Sequence, residues 1–264
     1  YDSDNQSSDC GTIYDSDNQS SEDLPVENTS DCSTEKIDQS DAEQALEKLL
    51  NSNAPEDDSF DRCLGCMQKI KPGTKSCKHC GYEQSQPPLE NYHLIPGTIL
   101  DDRYVVGRVL GFGGFGITYI GWDTKLLRRI AIKEYMPTEF ATRVLGENEL
   151  TVFSGEKAEQ FEIGKSKFMD EGQMLAGCNN VPGVVKIYDV LSENGTSYLT
   201  MELLEGESLK ERLDREKSLP VEDAIAIIVP ILDALEGVHN YGLIHRDVSP
   251  DNIFLCKNGD VKLI

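Results

Sequence analysis

Three short strings between residues 111 and 252 contain residue types suited to handling phosphate groups. GFGGFG at 111–116 lets backbone amides approach an anion closely, because glycine carries no side chain. IAIK at 130–133 places the cation Lys133 at the end of an apolar run. HRDVSPDN at 245–252 contains Asp247, which can accept a proton from a hydroxyl, and Asn252, whose carbonyl oxygen can bind Mg²⁺. In this order the strings predict transfer of a phosphoryl group from a nucleoside triphosphate.

Each string also has an ordinary structural interpretation. Glycines often form hairpin turns, a lone lysine often extends into solvent along its alkyl stem, and HRD can be a surface turn. A dinucleotide-binding turn would be followed by a helix, whereas a second strand is predicted here, which favours a flap over a nucleotide. The ordinary interpretations fit each string singly and fit the three in succession poorly.

A lysine directed at phosphate oxygens needs a carboxylate to hold it. Glu171 is the candidate, because Phe168, Glu171 and Leu175 fall on one face of a predicted helix. Glu162 is the reserve candidate.

Four cysteines lie within eighteen residues, as Cys63-x2-Cys66 and Cys77-x2-Cys80. Two such CxxC pairs can bring four thiolates into the tetrahedron that Zn²⁺ prefers, and four cysteine ligands leave no open position for catalysis. The alternatives are two disulfides or a redox CxxC. We therefore predict a structural zinc ribbon, with His79 as a bystander.

The hydrophobic pattern predicts the elements that position these residues. Strands are expected at 104–110, 117–122, 129–134, 184–191, 197–203, 253–256 and 261–264, and helices at 156–176, 208–215 and 221–241. Ser208 and Glu211 form a capping box, the Asn194-Gly195 and Asn258-Gly259 pairs predict hairpins, and Pro230 is expected to kink its helix.

The first 61 residues differ sharply from the rest. They carry eighteen Asp and Glu against two Lys, a net charge of −16 within a total of −22, and YDSDNQSS occurs twice. This composition predicts a disordered tail, with a docking or phosphoacceptor segment as the alternative. A short helix is possible at 40–51, where Ser40 and Glu43 form a capping box. Because the chain begins inside a repeat, we expect further sequence upstream.

Charge and cysteine spacing limit which partners and which cellular compartment we expect. The acidic tail argues against nucleic acid as a partner. No run approaches the about 20 apolar residues of a membrane span, and CxxC pairs favour a reducing cytoplasm. The predicted boundaries are a disordered acidic tail at 1–61, a zinc ribbon at 62–83, a linker at 84–99 and an α+β domain at 100–264.

Residues 100–264 resemble a bacterial Hanks-type (eukaryotic-like) Ser/Thr protein kinase. The resemblance implies an N-lobe of antiparallel sheet plus one helix, followed by a truncated helical C-lobe, with ATP and Mg²⁺ as cofactors and a protein as substrate. Asp247 would be the catalytic base, Asn252 a magnesium ligand, and Lys133 would contact phosphates and pair with Glu171. His245 would be structural, and Arg246 would meet an activation-loop phosphate. The implied nucleotide-binding residues are Leu110, Gly111, Gly113, Gly116, Thr118, Ala131, Lys133, Met201, Glu202, Leu204 and Phe254.

Four departures from the family pattern qualify this expectation. Thr118 replaces the usual Val, Ser249 replaces the usual Lys, and the segment from 134 to 160 is longer than usual. The DFG motif would follow Ile264, so we expect this piece to be inactive as it stands, with an apolar stripe on helix 221–241 exposed.

Three functions are compatible with these features. The first is a Ser/Thr protein kinase represented by a partial catalytic domain. The second is a non-catalytic ATP-binding scaffold, or pseudokinase, whose zinc ribbon recognises a protein. The third is an aminoglycoside-type phosphotransferase, against which the glycine-rich loop and the HRD string argue.

Overall fold

A computed structural model describes residues 61–113 and 116–264. The predicted tail at 1–60 and its short helix at 40–51 lie outside the described residues. The described chain opens with a small cysteine unit built on β1 (Asp61–Arg62) and β2 (Lys69–Ile70), which pair antiparallel. The second CxxC pair follows, and Gly81 closes its turn with φ of 73°. None of the described helices is long and apolar enough to cross a membrane.

A six-stranded antiparallel sheet forms the larger lobe. Its strands are β3 (Ile99–Leu100), β4 (Tyr104–Gly113), β5 (Gly116–Asp123), β6 (Arg128–Tyr135), β9 (Ile187–Glu193) and β10 (Thr196–Glu202). They are arranged in the order β3-β4-β5-β6-β10-β9. A separate pair, β7 (Ala141–Thr142) with β8 (Thr151–Val152), lies within the long segment after β6.

One helix covers this sheet. Helix α1 (Glu156–Gly177) buries Phe161 and Phe168, whose rings lie 5.3 and 5.6 Å from the ring of Tyr135 on β6. Gly172 lets the helix approach β10, because a Cβ at this position would lie 2.2 Å from a methyl of Leu199. The sheet and α1 form the sheet-plus-one-helix lobe that the sequence predicted.

A smaller lobe follows the sheet. It contains β11 (Gly206–Ser208), α2 (Leu209–Glu216), α3 (Val221–Asn240), β12 (Ile253–Cys256) and β13 (Val261–Leu263). Strands β11, β12 and β13 form a three-stranded sheet in that order. A core of Leu209, Ile227, Ile231, Ile253 and Leu263 joins both helices to it.

Most predicted elements are present, and the structure differs from the prediction at several places. The strand expected at 184–191 begins only at Ile187, because Val184 instead forms a single parallel bridge with Leu263. The sequence analysis missed β11, whose three residues are polar or glycine. The apolar stripe of α3 is divided: Ile231 is buried while Leu232 is 57% exposed. Helix α3 continues through Pro230, and the kink stays a prediction.

Candidate functional site

Four of the predicted nucleotide-binding residues share one face of the large sheet. Thr118 on β5 lies directly opposite Lys133 on β6, and Met201 on β10 lies opposite Ala131. Side chains of paired residues project to the same face, and Ala131 and Lys133 are two residues apart on one strand. Ala131 and Met201 are buried, and Lys133 is half-buried. This face therefore offers an apolar surface with a cation beside it.

The glycine-rich turn has two kinds of glycine. A Cβ on Gly111 or Gly113 would meet no atom of the described residues within 4 Å, so both are free of close packing against them at the end of β4. A Cβ on Gly116 would lie 2.3 Å from the carbonyl oxygen of Glu134, so this glycine is required for the close approach of β5 to β6. Leu110, just before the turn, is 41% exposed.

The structure does not bring Lys133 and Glu171 together as an ion pair. Glu171 is exposed on α1, and among the described residues no ion pair within 4.0 Å includes Lys133. The reserve candidate, Glu162, pairs with Lys165 on its own helix at 2.9 Å. The helix packs through Phe161, Phe168 and Gly172, a surface that leaves both glutamates in solvent.

The residue after Lys133 is a fully buried carboxylate. Glu134 forms an ion pair with the buried guanidinium of Arg143, which the long segment after β6 supplies. Glu134 Oε2 also accepts a hydrogen bond from the Tyr119 hydroxyl at 2.8 Å, and that hydroxyl accepts one from the Leu94 amide at 3.1 Å. Arg143 donates to the carbonyl of Tyr92 at 2.7 Å. This network ties the linker and the inserted segment to β6 beside Lys133.

Burial and charge set the protonation states in this network. Burial alone would lower the pKa of Arg143, but its hydrogen bonds and charge interaction with Glu134 raise that pKa above the usual value. Burial, together with the Glu134 carboxylate, raises the pKa of Tyr119 well above its usual range. The Arg143 guanidinium is therefore charged and the Tyr119 phenol neutral near pH 7.

The Glu202 side chain holds the end of β10 in place through hydrogen bonds. Glu202 Oε1 accepts hydrogen bonds from the Lys186 amide at 2.9 Å and from Lys262 Nζ at 3.0 Å. The Glu202 amide donates to the Lys186 carbonyl at 2.9 Å. By contrast, the backbone of Leu204 makes no hydrogen bond with any described residue. Its amide and carbonyl are therefore available to a planar ligand edge.

The HRD string forms a compact loop before β12. Asn252 Nδ2 donates to Asp247 Oδ2 at 2.7 Å and to the Asp247 carbonyl at 3.0 Å. The Asn252 amide donates to the Ser249 carbonyl at 3.0 Å, and the Lys210 amide at the start of α2 donates to the Pro250 carbonyl at 3.0 Å. The loop thus holds a carboxylate and a carboxamide side by side on an exposed edge.

Of the two residues before Asp247, Arg246 has a strained backbone and His245 has a buried ring nitrogen. Arg246 has φ of 64°, a left-handed conformation that costs free energy in a residue other than glycine and often occurs at functional sites. His245 Nδ1 is buried and has no hydrogen-bond partner in the described part of the chain. Phe254, one of the residues implied to bind the nucleotide, is half-buried on β12, where it pairs with Ser208 of β11.

The four cysteines of the N-terminal unit form a compact cluster. The sulfurs of Cys63, Cys66, Cys77 and Cys80 all lie within 4.8 Å of one another. The Cys63–Cys80 and Cys66–Cys77 sulfur separations are 3.7 and 3.8 Å. A tetrahedron with zinc–sulfur bonds of about 2.3 Å has sulfur–sulfur edges of about 3.8 Å, whereas a disulfide is about 2.05 Å long. The described cysteines are all free, so the cluster fits a zinc ribbon and not a pair of disulfides.

Backbone amides stabilise negative charge on this cluster. Burial tends to raise the pKa of Cys77, but hydrogen bonds from the His79 and Cys80 amides lower it below the usual value. Burial raises the pKa of Cys66. Gln84 Nε2 donates to Cys63 Sγ at 3.3 Å, and His79 contributes only its amide to Cys77 Sγ. A metal bound here would displace protons from the more protonated thiols.

The sequence analysis missed the contacts between the cysteine unit and the large sheet. Met67 is fully buried in a cluster with Ile120 and Trp122 of β5. The one sequence signal for this contact was a methionine inside an otherwise polar ribbon. That signal does not identify the residues against which the methionine packs.

The fold and these motifs define a class of protein, and comparison with known proteins agrees. Residues 104–264 match the family described as "Protein kinase domain". The chain belongs to the protein kinase family, and its relatives are of the bacterial Ser/Thr type. This family uses ATP and Mg²⁺.

Individual relatives share about a third of the aligned residues. Serine/threonine-protein kinase PknL of Mycobacterium tuberculosis is 34% identical over 179 residues, which cover 68% of this chain and 38% of that protein. Probable serine/threonine-protein kinase PknB of Lactococcus lactis is 32% identical over 167 residues, covering 63% and 24%. The solved structure titled "PpkA-294 apo form" matches with a TM-score of 0.60 and 30% identity, covering 66% of this chain and 61% of that one. The chain thus spans well under two thirds of the length of these two curated relatives.

Proposed function

We propose that the protein to which this chain belongs transfers the γ-phosphoryl group of ATP to serine or threonine hydroxyls of proteins. The observation that carries the proposal is the hydrogen bond from Asn252 Nδ2 to Asp247 Oδ2. It leaves Asp247 Oδ1 and Asn252 Oδ1 without a hydrogen bond to any described residue. One oxygen is then free to accept the proton of a substrate hydroxyl, and the other is free to ligate a cation.

The predicted nucleotide residues support the same proposal from the opposite side of the site. Thr118, Ala131 and Met201 would contact the adenine, together with Leu110 above and Phe254 below. The Glu202 carbonyl and the Leu204 backbone would bind its polar edge. Lys133 and the backbone of Gly111, Gly113 and Gly116 would bind phosphates. When bound, Mg²⁺ would neutralise charge that develops on the phosphates.

We further propose that Cys63, Cys66, Cys77 and Cys80 bind one structural Zn²⁺. The sulfur separations support it, and so do the amide hydrogen bonds to the sulfurs. On this basis the ribbon occupies residues 62–83, the linker 84–99 and the kinase domain 100–264. Metal analysis of the purified protein should find one zinc per chain. The cytoplasmic location and the absence of a nucleic-acid partner stay predictions.

The test of the catalytic proposal is Asp247→Asn in the full-length protein. Asparagine can still accept the Asn252 hydrogen bond but cannot take up a proton, so phosphorylation of a generic protein substrate should fall by about 10² to 10⁴-fold. Mg-ATP affinity should change little. Asp251→Asn removes a carboxylate from the same loop and should leave the rate unchanged. Equal rates for Asp247→Asn and the wild type would refute the assignment.

A second candidate function, a non-catalytic ATP-binding scaffold, is favoured by two observations. Ser249 places no cation near the transfer site, and Lys133 and Glu171 form no ion pair. Mg-ATP thermal shift followed by a radiolabelled phosphate assay separates the candidates in the full-length protein. Stabilisation by Mg-ATP without phosphate transfer would favour the scaffold.

A further inference from the structure

The cysteine unit is attached to the sheet by hydrogen bonds from Arg108 to its backbone carbonyls. The Arg108 amide on β4 donates to the Leu64 carbonyl at 2.7 Å, and Arg108 Nε donates to the Gly65 carbonyl at 2.8 Å. Leu64 and Gly65 lie between the first two cysteines. The loop that presents two sulfurs to the metal therefore also holds the strand that leads into the glycine-rich turn.

An apolar contact adds to these hydrogen bonds. Met67 packs against Ile120 and Trp122, with Val105 and Leu203 at the edge of the cluster. The guanidinium of Arg62 lies 3.5 Å from the centre of the Trp122 ring. Met67 and Trp122 are 0% and 8% exposed, so the contact excludes water.

Gly107 allows this close approach. A Cβ at this position would lie 2.4 Å from the Leu64 carbonyl oxygen, 2.4 Å from Met67 Cε and 2.8 Å from Ile120. Gly107 does not have a positive φ, so its backbone conformation would accept alanine. Two of the three obstacles to a side chain at this position belong to the cysteine unit.

The contact surface is continuous with the proposed nucleotide site. Ile120 lies opposite Ala131 and two residues from Thr118, so it shares their face of the sheet. Arg108 precedes Gly111 on β4. Leu203 lies between Glu202 and Leu204, which the proposed function assigns to the adenine edge. The unit thus touches both strands of the glycine-rich hairpin, and the cluster that Met67 forms with Ile120 and Trp122 packs against Leu203 in the segment after β10.

The unit is small, and its hydrogen bonds join two short strands and several turns around the four sulfurs. Its two strands are two residues each, and Met67 has φ of 58° with its amide donating to the Cys63 carbonyl at 2.7 Å. Small units of this kind derive most of their folding free energy from the metal. Loss of metal therefore removes the conformation that presents Met67 to Trp122.

We propose that the four-cysteine ribbon is a metal-dependent positioning element for the nucleotide site. With metal bound it holds β4, β5 and the segment after β10 in the arrangement that receives ATP, and without metal that arrangement loosens. The inference rests on the proposed function, because it assumes that the face carrying Thr118 and Ala131 binds ATP. The positioning residues are Met67 and Gly107, neither of which is assigned a contact with the nucleotide.

Trp122 provides a direct readout of the contact, because it is the single tryptophan of the 264 residues. The metal is removed from the chain with a chelator in the presence of a phosphine reductant, and the chelator is then removed before Mg-ATP is added. We expect Trp122 emission to move to longer wavelength and the Kd for Mg-ATP, from calorimetry, to rise about tenfold, within the usual range of coupling between two sites. Added Zn²⁺ should restore both.

Variants separate positioning from general damage. Met67→Ala should shift Trp122 emission and weaken Mg-ATP binding with zinc still bound, while Met67→Leu should retain both properties. Gly107→Ala should behave as Met67→Ala does. Its matched control is Gly177→Ala, where a Cβ meets no atom within 4 Å, and the control should match the wild type. Thermal unfolding of each variant checks that the sheet remains folded.

The outcomes distinguish this inference from the proposed function. If the zinc-loaded wild type fails to bind Mg-ATP, the proposed function is wrong and the inference with it. If the wild type binds Mg-ATP but the Kd is unchanged by metal removal, only the inference is overturned. An unchanged Trp122 emission after metal removal overturns it as well, as does a shifted emission in Met67→Ala with an unchanged Kd.

Discussion

The two sides of the proposed nucleotide site are held in different ways. On the sheet side, Lys133 is surrounded by contacts between residues far apart in sequence, such as Leu94 with Tyr119 and Tyr92 with Arg143. On the loop side, Asp247 and Asn252 are five residues apart and hydrogen-bond to each other. The sheet side therefore depends on tertiary packing, and the loop side largely on local geometry. Substitutions should affect stability on one side and chemistry on the other.

The largest expected effect on stability is at Arg143. Arg143→Met would leave the buried Glu134 carboxylate without its partner, which typically costs about 3–5 kcal/mol. Urea unfolding followed by Trp122 emission measures the loss. The double variant Glu134→Gln with Arg143→Met should recover part of it, because no buried charge remains. Equal losses in the single and double variants would mean that the charge is not the cause.

On the loop side, a substitution should lower the rate of phosphoryl transfer more than it lowers stability. Asn252→Ala removes two hydrogen bonds of an exposed loop and should lower the free energy of unfolding by about 1 kcal/mol or less. In the full-length protein it should reduce phosphoryl transfer by about 10²-fold or more, because a metal ligand is lost. Measuring both quantities on one variant tests the comparison. A stability loss as large as that of Arg143→Met would remove the distinction between the two sides.

A smaller effect should depend on pH at the linker. His93 is buried with its ring 5.5 Å from the ring of Phe112 in the glycine-rich hairpin, and Glu90 and Arg143 are the charges that act on it. Burial lowers the pKa of His93, so the unfolded chain binds the proton more readily than the folded chain does. Its contribution to stability should therefore be lost as the pH falls below about 6.5, the pKa of an unperturbed histidine. Urea unfolding between pH 7.5 and 5.5 measures this.

The matched variant for this measurement is His93→Phe. Phenylalanine keeps a ring against Phe112 but does not titrate, so the part of the acid-induced loss that comes from His93 should disappear. If the wild type and the variant lose stability in parallel over this interval, His93 is not responsible.

The smallest effect is expected at the surface of α2. Lys210 pairs with Asp214 in solvent, and exposed ion pairs of this kind contribute little to stability. Lys210→Gln should leave the midpoint of thermal unfolding unchanged within error. A clear drop would show that the start of α2, whose Lys210 amide binds Pro250, supports the loop more strongly than the sheet-and-loop comparison implies.

Local patterns predicted most of the elements. The apolar runs of β4, β5 and β6, the capping box at Ser208, and the hairpin at Asn194-Gly195 all depend on residues close in sequence, and the structure contains each of them. The short strands β7, β8 and β11 were not predicted, because two or three residues carry no periodicity. Their pairing is decided by the strands beside them.

The site residues show the same difference between local sequence patterns and tertiary packing. Asp247 and Asn252 were both selected from one string, and in the structure a hydrogen bond joins them. The predicted pair of Lys133 with Glu171 depends on the rotation of α1 against the sheet, which Phe161, Phe168 and Gly172 determine by packing. No pattern within the helix encodes that rotation.

By itself, the amino-acid sequence determined the family, the order of the main strands and helices, the four-cysteine cluster and the presence of Asp247 and Asn252 in one string. Each of these follows from residues a few positions apart, whose separation the chain geometry limits. Only the tertiary structure decided that Met67 packs on Trp122, that Arg143 neutralises Glu134, and that Glu171 lies in solvent. These contacts join distant segments, and their formation depends on how well surfaces fit and on which polar groups find partners once water is excluded.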